Sequence, residues 1–349
     1  MTKIKGDIFK LLDNIKKEDD DKPTLRKHDK VLLIDGLNLF MRNFAMINFI
    51  NENGVHIGGL SGFLRSLGSL INLIKPTAVY IVFDGIGSSI NRKNINPDYK
   101  SGRNITRITN FSGFKDLEEE NNAKIDQIIR LIHYLKCLPV KTISLDKVEA
   151  DDIIAYLSSV FSNKHNSKVY IVSADQDFTQ LVNNKITLYR PVKKEFYTPD
   201  KIKEEYGVLA ENFILYKTLL GDNSDKIEGI KGLGKKGLIK KFPELAQDIV
   251  TLNDLHDICE KKYKDHIIYS KILFDFKRLE SNYRIMDLKN PLVNDEEKNI
   301  LHELIDQPLE KFKPEAFMRL YNEDGLNNTI KNTSYWLKET FGFLNSFNK

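Results

Sequence analysis

Five acidic groups punctuate this chain: Asp35, Asp84, the run Glu149-Ala-Asp151-Asp152, the pair Asp175 and Asp177, and the pair Asp222 and Asp225. Each stands at the end of a short apolar run or at the start of a helical one. Carboxylates crowded into one pocket repel one another, so such a cluster destabilises a fold unless cations neutralise it. Dense oxygen ligands with no histidine or cysteine among them select magnesium or manganese over zinc. Two such ions about 4 Å apart stabilise the attacking and leaving oxygens in phosphodiester cleavage, and a metal-bound water is the nucleophile. A single Asp at a strand end is more often a helix cap or turn former. Five groups placed alike make that bland alternative hard to sustain.

Two basic segments could serve the same chemistry. Between 85 and 120 the chain is polar and glycine-punctuated, and as far as residue 115 Arg92, Lys93, Lys100, Arg103, Arg107 and Lys115 outweigh Asp98. A basic segment beside a metal cluster can grip phosphates and neutralise charge in the transition state. Tyr99 offers a flat face for stacking an unpaired base. A solvated loop is the plain alternative. The second segment, Gly229-Ile-Lys231-Gly232-Leu-Gly234-Lys235-Lys236, has the form of a helix–hairpin–helix within 221–241. Glycines there let a backbone approach a phosphodiester, the amides of the following helix bind it, and lysines add attraction that ignores base sequence.

Strands must carry the acids to one place. Apolar, β-branched runs at 30–35, 78–84 and 169–173 suit buried parallel strands. Helical stretches at 59–74, 121–137 and 151–161 lie between them, and such alternation implies an α/β fold with a central, mostly parallel sheet flanked by helices. Active sites of such sheets gather at the carboxyl ends of the strands, where Asp35, Asp84 and Asp175 fall. The expected organisation is a charged extension over 1–29, with a short amphipathic helix, and an α/β core over 30–198. The core's insertion at 85–120 is too long for a connector. A helical region carrying the hairpin spans 199–290, and a helical tail 291–349.

The bulk properties agree with a soluble chain of one large or two small domains. Of 349 residues 41% are hydrophobic, enough for a real core, and the net charge of +4 is too small to prove a nucleic-acid partner. Cys137 and Cys259 fit no metal or disulfide pattern, so a reducing compartment is expected. No apolar run could span a bilayer and the first residues lack a secretory stretch, which excludes membrane classes and points to the cytoplasm.

Taken together and in order, these motifs resemble the flap endonuclease and 5′-nuclease superfamily of 5′-3′ exonucleases. The likeness runs from about residue 30 to 290. It rests on Leu33-Ile-Asp-Gly-Leu-Asn38, Val82-Phe-Asp84, Arg92 through Tyr99-Lys100, Glu149-Ala-Asp-Asp152, Ser173-Ala-Asp-Gln-Asp177 and Gly221-Asp-Asn-Ser-Asp225 with its hairpin. The resemblance implies a PIN-like 5′-nuclease fold, with 85–120 as a helical arch that passes a single-stranded 5′ end. It implies that Asp35, Asp84, Glu149, Asp151 and Asp175 hold one metal, that Asp177, Asp222 and Asp225 surround a second, and that Asp152 is an additional acid. Lys100 then corresponds to an arch lysine near the scissile phosphate, and Arg92 and Arg103 to phosphate contacts. Potassium held by backbone carbonyls at the hairpin is a further implied cofactor.

The tail at 308–314 and 341–343 is similar to the ribonuclease H type of T-even-like phages. That likeness implies removal of RNA primers beside a single-stranded DNA-binding protein, in the cytoplasm of an infected bacterium. The expected protein is a free-standing, monomeric, structure-specific 5′-nuclease. It would act on 5′ ends, flaps or RNA–DNA hybrids with two magnesium ions, for which manganese can substitute. A PIN-type ribonuclease shares the sheet but lacks hairpin and arch. A catalytically weak DNA-binding protein on the same scaffold would need lost ligands, yet every acidic position is filled. A receiver-type signalling domain needs fewer acids.

Overall fold

The computed structural model describes residues 26–101, 108–110, 113–326 and 329–348. The expected leader helix, Arg103 and Arg107 lie outside these residues.

Six strands form the central sheet: β1 (Lys30–Asp35), β2 (Ala78–Val82), β3 (Lys141–Ile143), β4 (Lys168–Val172), β5 (Ile186–Arg190) and β6 (Glu195–Tyr197). Their order is β3-β2-β1-β4-β5-β6, parallel throughout except for the β5–β6 edge. The strands expected at 30–35, 78–84 and 169–173 are therefore immediate neighbours. β2 stops at Val82, two residues before Asp84. The short strands β3, β5 and β6 carry no comparable apolar run and were not anticipated.

The continuous apolar runs follow from burial on both sheet faces. Val31 and Leu33 point into one core, with helix α5 (Ala150–Asn163) and the helices after residue 199. Leu32 and Ile34 point into the other, with α1 (Gly36–Met46), α2 (Gly58–Ile74) and α4 (Leu117–Leu135). Each such fully buried side chain contributes about 1.5–3 kcal/mol. The tail joins this second core through Phe317, Tyr321, Leu337 and Phe341. Trp336 lies so close over α2 that a Cβ on Gly68 would stand 2.5 Å from its ring.

The insertion is less helical than an arch implies. Among its described residues only α3 (Ile90–Ile95) and the first turn of α4 are helical, and 96–101 runs through turns. Beyond residue 199 come α6 (Pro199–Tyr206), α7 (Phe213–Leu220), a two-residue ribbon pairing Gly221–Asp222 with Ile227–Glu228, and α8 (Lys235–Lys241). Of the helix–hairpin–helix expected within 221–241, only α8 lies inside those bounds; α7 ends at Leu220 and the ribbon stands between the two helices. No helix among the described residues is long and apolar enough to cross a membrane. Cys137 and Cys259 are buried and unbridged.

The last described leader residues dock on the sheet. The His28 ring nitrogen lies 2.9 Å from the Tyr80 hydroxyl, against Phe161. Burial, and then the charges of Lys27 and His165, push its pKa down to about 4. The folded state therefore binds this proton less readily than the unfolded chain, whose histidine titrates near 6.5. Its stabilising share is complete above that pH and is lost as pH falls towards 4. The melting temperature of His28→Gln should accordingly fall less between those pH values than that of the unaltered protein. Parallel curves would count against this assignment.

Candidate active site

Asp35 closes β1 and caps α1. Its Oδ1 accepts from the Asn38 amide at 3.0 Å and its Oδ2 from the Ser173 hydroxyl at 2.9 Å. Asn38 in turn accepts from the Ala174 amide at 3.0 Å, which ties the ends of β1 and β4 together. Asp84, after β2, accepts from the Ala150 amide at the start of α5 at 2.8 Å. The chain can bend back this tightly because residue 85 is glycine; a Cβ there would sit 1.7 Å from the Leu145 carbonyl oxygen. Asp175 follows β4 and accepts from the Asp177 amide at 2.8 Å. Glu149, Asp151 and Asp152 come in on the first turn of α5. Side-by-side strands and one helix start thus bring the predicted acids to one edge.

Their electrostatics record the crowding. Burial, with the charges of Asp84 and Asp175 added, raises Asp35 to about 7 against its two hydrogen bonds. Asp151 is pushed well above the carboxylate range by burial and by the charges of Asp175 and Asp35. Burial and Asp175 likewise raise Asp177 to about 7. Removing solvent from like charges disfavours their ionised forms, and a cation among them reverses that.

No three of these acids place one oxygen each within 4.8 Å of one another; among the described residues the His/Cys/Asp/Glu group that does is His256, Asp257 and Glu260. The physical reason is visible in the partners. Asp35, Asp84, Glu149, Asp175, Asp177 and Asp222 are each drawn to an amide, hydroxyl or ammonium of their own and away from their like-charged neighbours. The donor set itself, oxygen only and short of counter-charge, suits hard divalent ions.

Three roles expected from the motifs differ here. Arg92 is buried, with its Nε donating to the Ile285 carbonyl at 2.9 Å. Its guanidinium donates to Glu149 at 2.9 Å and to both oxygens of Asp152. Burial works against its charge, but Asp152 and Glu149 outweigh that and raise its pKa. Arg92 is a clamp under the site and has no face for a phosphate. Asp152 has its oxygens taken by Arg92 and, at 2.9 Å, by the Leu292 amide, which makes it a partner of Arg92 in place of a metal ligand. Tyr99 is buried with Ile214, Ile227, Ile285 and Met286, its hydroxyl 3.2 Å from Glu149, so it stacks on no base. These contacts were invisible because residues 285 and 292 approach only in the folded chain.

Removing the clamp leaves buried Asp152 without its counter-charge and buried Glu149 with only that of Lys100. Arg92→Met should therefore lower the unfolding free energy by about 3–5 kcal/mol, measured by urea denaturation. A midpoint like that of the unaltered protein would refute the clamp.

Lys100 stays available. Its ammonium pairs with Glu149 at 2.9 Å, its side chain is one-fifth exposed, and its backbone holds a φ of +56°. Asp225 is buried, and its carbonyl accepts from the Lys100 amide at 3.3 Å. Lys217, on α7, was not anticipated. It forms ion pairs with Asp177, at 2.8 Å, and with Asp222. Burial opposes the charges of both Lys217 and Asp222, but Asp177 and then Asp222 raise the lysine, and Lys217 with Ser224 holds Asp222 down at about 2. A lone lysine in the otherwise apolar FILYKTLL helix was the available signal. At the hairpin, Lys231, Gly232, Gly234, Lys235 and Lys236 are all exposed. Gly232 takes a φ of +86°, which favours glycine.

The family model described as the 5′-3′ exonuclease N-terminal, resolvase-like domain matches residues 30–207. A 5′-3′ exonuclease of Buchnera aphidicola is 31% identical, covering 70% of this chain and 82% of its own length. DNA polymerase I of Bacillus subtilis is 31% identical over 70% of this chain, which spans only 26% of the polymerase. Among solved structures, the bacteriophage T5 flap endonuclease in complex with DNA and metal ions superposes with a TM-score of 0.60 at 18% identity, covering 90% of this chain and 99% of that one. The catalytic core of Rad2 with DNA substrate gives 0.56 at 16% identity, covering 90% and 95%. At these identities the likeness is one of fold.

Proposed function

This chain belongs to the 5′-3′ exonuclease family, and from that membership we propose that it is a structure-specific 5′-nuclease of DNA replication or repair. It hydrolyses phosphodiester bonds near a free 5′ end, as an exonuclease and flap endonuclease, and its substrates include RNA–DNA hybrids. The observation that carries this reading is the delivery of Asp35, Asp84 and Asp175 by adjacent elements to the edge where Glu149 holds the Lys100 ammonium.

The assigned ligands are Asp35, Asp84, Glu149, Asp151 and Asp175 for one divalent ion and Asp177, Asp222 and Asp225 for a second. Magnesium, or manganese in its place, would supply Lewis acidity and a hydroxide nucleophile there. The chain's own groups do the rest. Lys100 faces the charge that develops on the phosphoryl oxygens. Lys217 keeps Asp222 ionised. Lys231, Lys235 and Lys236 hold the duplex by its phosphates, without regard to base sequence. We assign the working form as a monomer in the bacterial cytoplasm, acting beside a single-stranded DNA-binding protein.

The test is cleavage of labelled 5′-flapped, nicked and RNA-primed duplexes with magnesium or with EDTA. Magnesium-dependent release of short 5′ products is expected. Binding without cutting under every divalent ion would favour a catalytically silent binder; cutting in EDTA would end the metal assignment.

A further inference from the structure

A turn that holds a monovalent cation does so with backbone carbonyls that stand in for the ion's water. The four successive carbonyls that lead into this turn, Glu228 to Lys231, are engaged by the protein itself. Lys271 Nζ donates to the Lys231 carbonyl at 3.1 Å. The Arg278 guanidinium donates to the Glu228 carbonyl and, at 3.4 Å, to that of Gly229. Asn282 adds a second bond to Glu228 at 2.9 Å, and the Leu233 amide donates to Ile230 at 3.0 Å. Every carbonyl from Glu228 to Lys231 thus accepts from a protein donor, and two of the donors carry full positive charges. The donors are well anchored. They project from the consecutive helices Ile267–Phe274 and Phe276–Met286, and Asp275 holds Arg278 at 2.8 Å.

A potassium ion does not fit this arrangement. It would have to displace two cations from their acceptors and then sit beside them. We propose that Lys271 and Arg278 are the hairpin's built-in cation. They hold the turn's carbonyls in shape and place a permanent positive charge at its apex, where Lys271 Nζ lies 3.9 Å from the position a Cβ on Gly232 would take. Arginine suits the two successive carbonyls because its fork is planar and carries several donors. The functional part of this inference rests on the reading that the hairpin grips duplex phosphates. Duplex binding then depends on ionic strength but not on which monovalent cation supplies it.

The first measurement needs no DNA. Thermal melting of the full chain in KCl, NaCl and CsCl at matched ionic strength should give the same midpoint in all three salts. Lys271→Met should lower that midpoint and Lys271→Arg restore it. A rise specific to potassium, or a Lys271→Met protein as stable as the original, overturns the assignment. The second measurement is affinity for a 5′-flapped duplex in EDTA. The unaltered protein should bind equally, within about twofold, in each salt, while Lys271→Met binds roughly fivefold or more weakly. Tighter binding in potassium alone overturns the proposal. If the melting results hold but no duplex binds in any salt, the reading of the hairpin as a DNA grip fails while the carbonyl assignment stands.

Discussion

Asp175→Asn is expected to abolish cleavage of a 5′-flapped duplex while leaving its binding intact and making the metal-free protein more stable. The side chain keeps its shape, and the amide oxygen can still accept from the Asp177 amide as Oδ1 does at 2.8 Å. What disappears is one negative charge. That charge helps to raise Asp35, Asp151 and Asp177, so its loss relieves repulsion in the apo protein. The same loss weakens the hold on a divalent ion. A defect on the order of a thousandfold or more in single-turnover rate, roughly 4 kcal/mol, is expected. Asp84→Asn should behave alike in cleavage, because it too removes a charge from the group that faces Asp35. The paired readout is the sharp part: rate down, apo melting temperature up. Retained turnover would take these acids out of the mechanism, and an unchanged melting temperature would contradict the crowding that defines the site.

Lys100→Ala should slow the chemical step by about a hundred- to a thousandfold, or roughly 3–4 kcal/mol, the usual loss when one preorganised charge is removed from a transition state. The lysine is poised for this. Glu149 orients its ammonium at 2.9 Å, Tyr99 lies beneath it at 5.0 Å from the ring centre, and its own backbone is held at a positive φ. Duplex affinity should change far less, since the hairpin lysines lie on a separate exposed segment. Rapid-quench single-turnover kinetics separates the two effects. An unchanged rate with weakened binding would make Lys100 an ordinary phosphate contact.

The α/β core was legible because its signals are local. A β-branched run that ends in an acid reads as a buried strand whatever surrounds it, and β1, β2 and β4 form where those runs lie. The glycine-rich turn between α7 and α8 is similarly local, since Gly232 needs a conformation that few other residues adopt. Acid types and spacing named the candidate ligands for the same reason. Short edge strands such as β3 carry too few residues to announce themselves, and they form because a neighbour offers hydrogen bonds.

What the sequence determined by itself is therefore the chemistry present: carboxylates in number, two basic segments, and a parallel sheet to present them. What only the tertiary structure decided is which charges meet. Arg92 and Lys100 are eight positions apart in one basic segment and both reach Glu149. Arg92 is nevertheless buried as a clamp, because the Ile285 carbonyl and Asp152 close over it, while Lys100 stays part exposed. Lys217 likewise finds Asp177 forty residues upstream. Burial and long-range pairing set the free energy of a charge, and neither is a property of the residues that adjoin it in the chain.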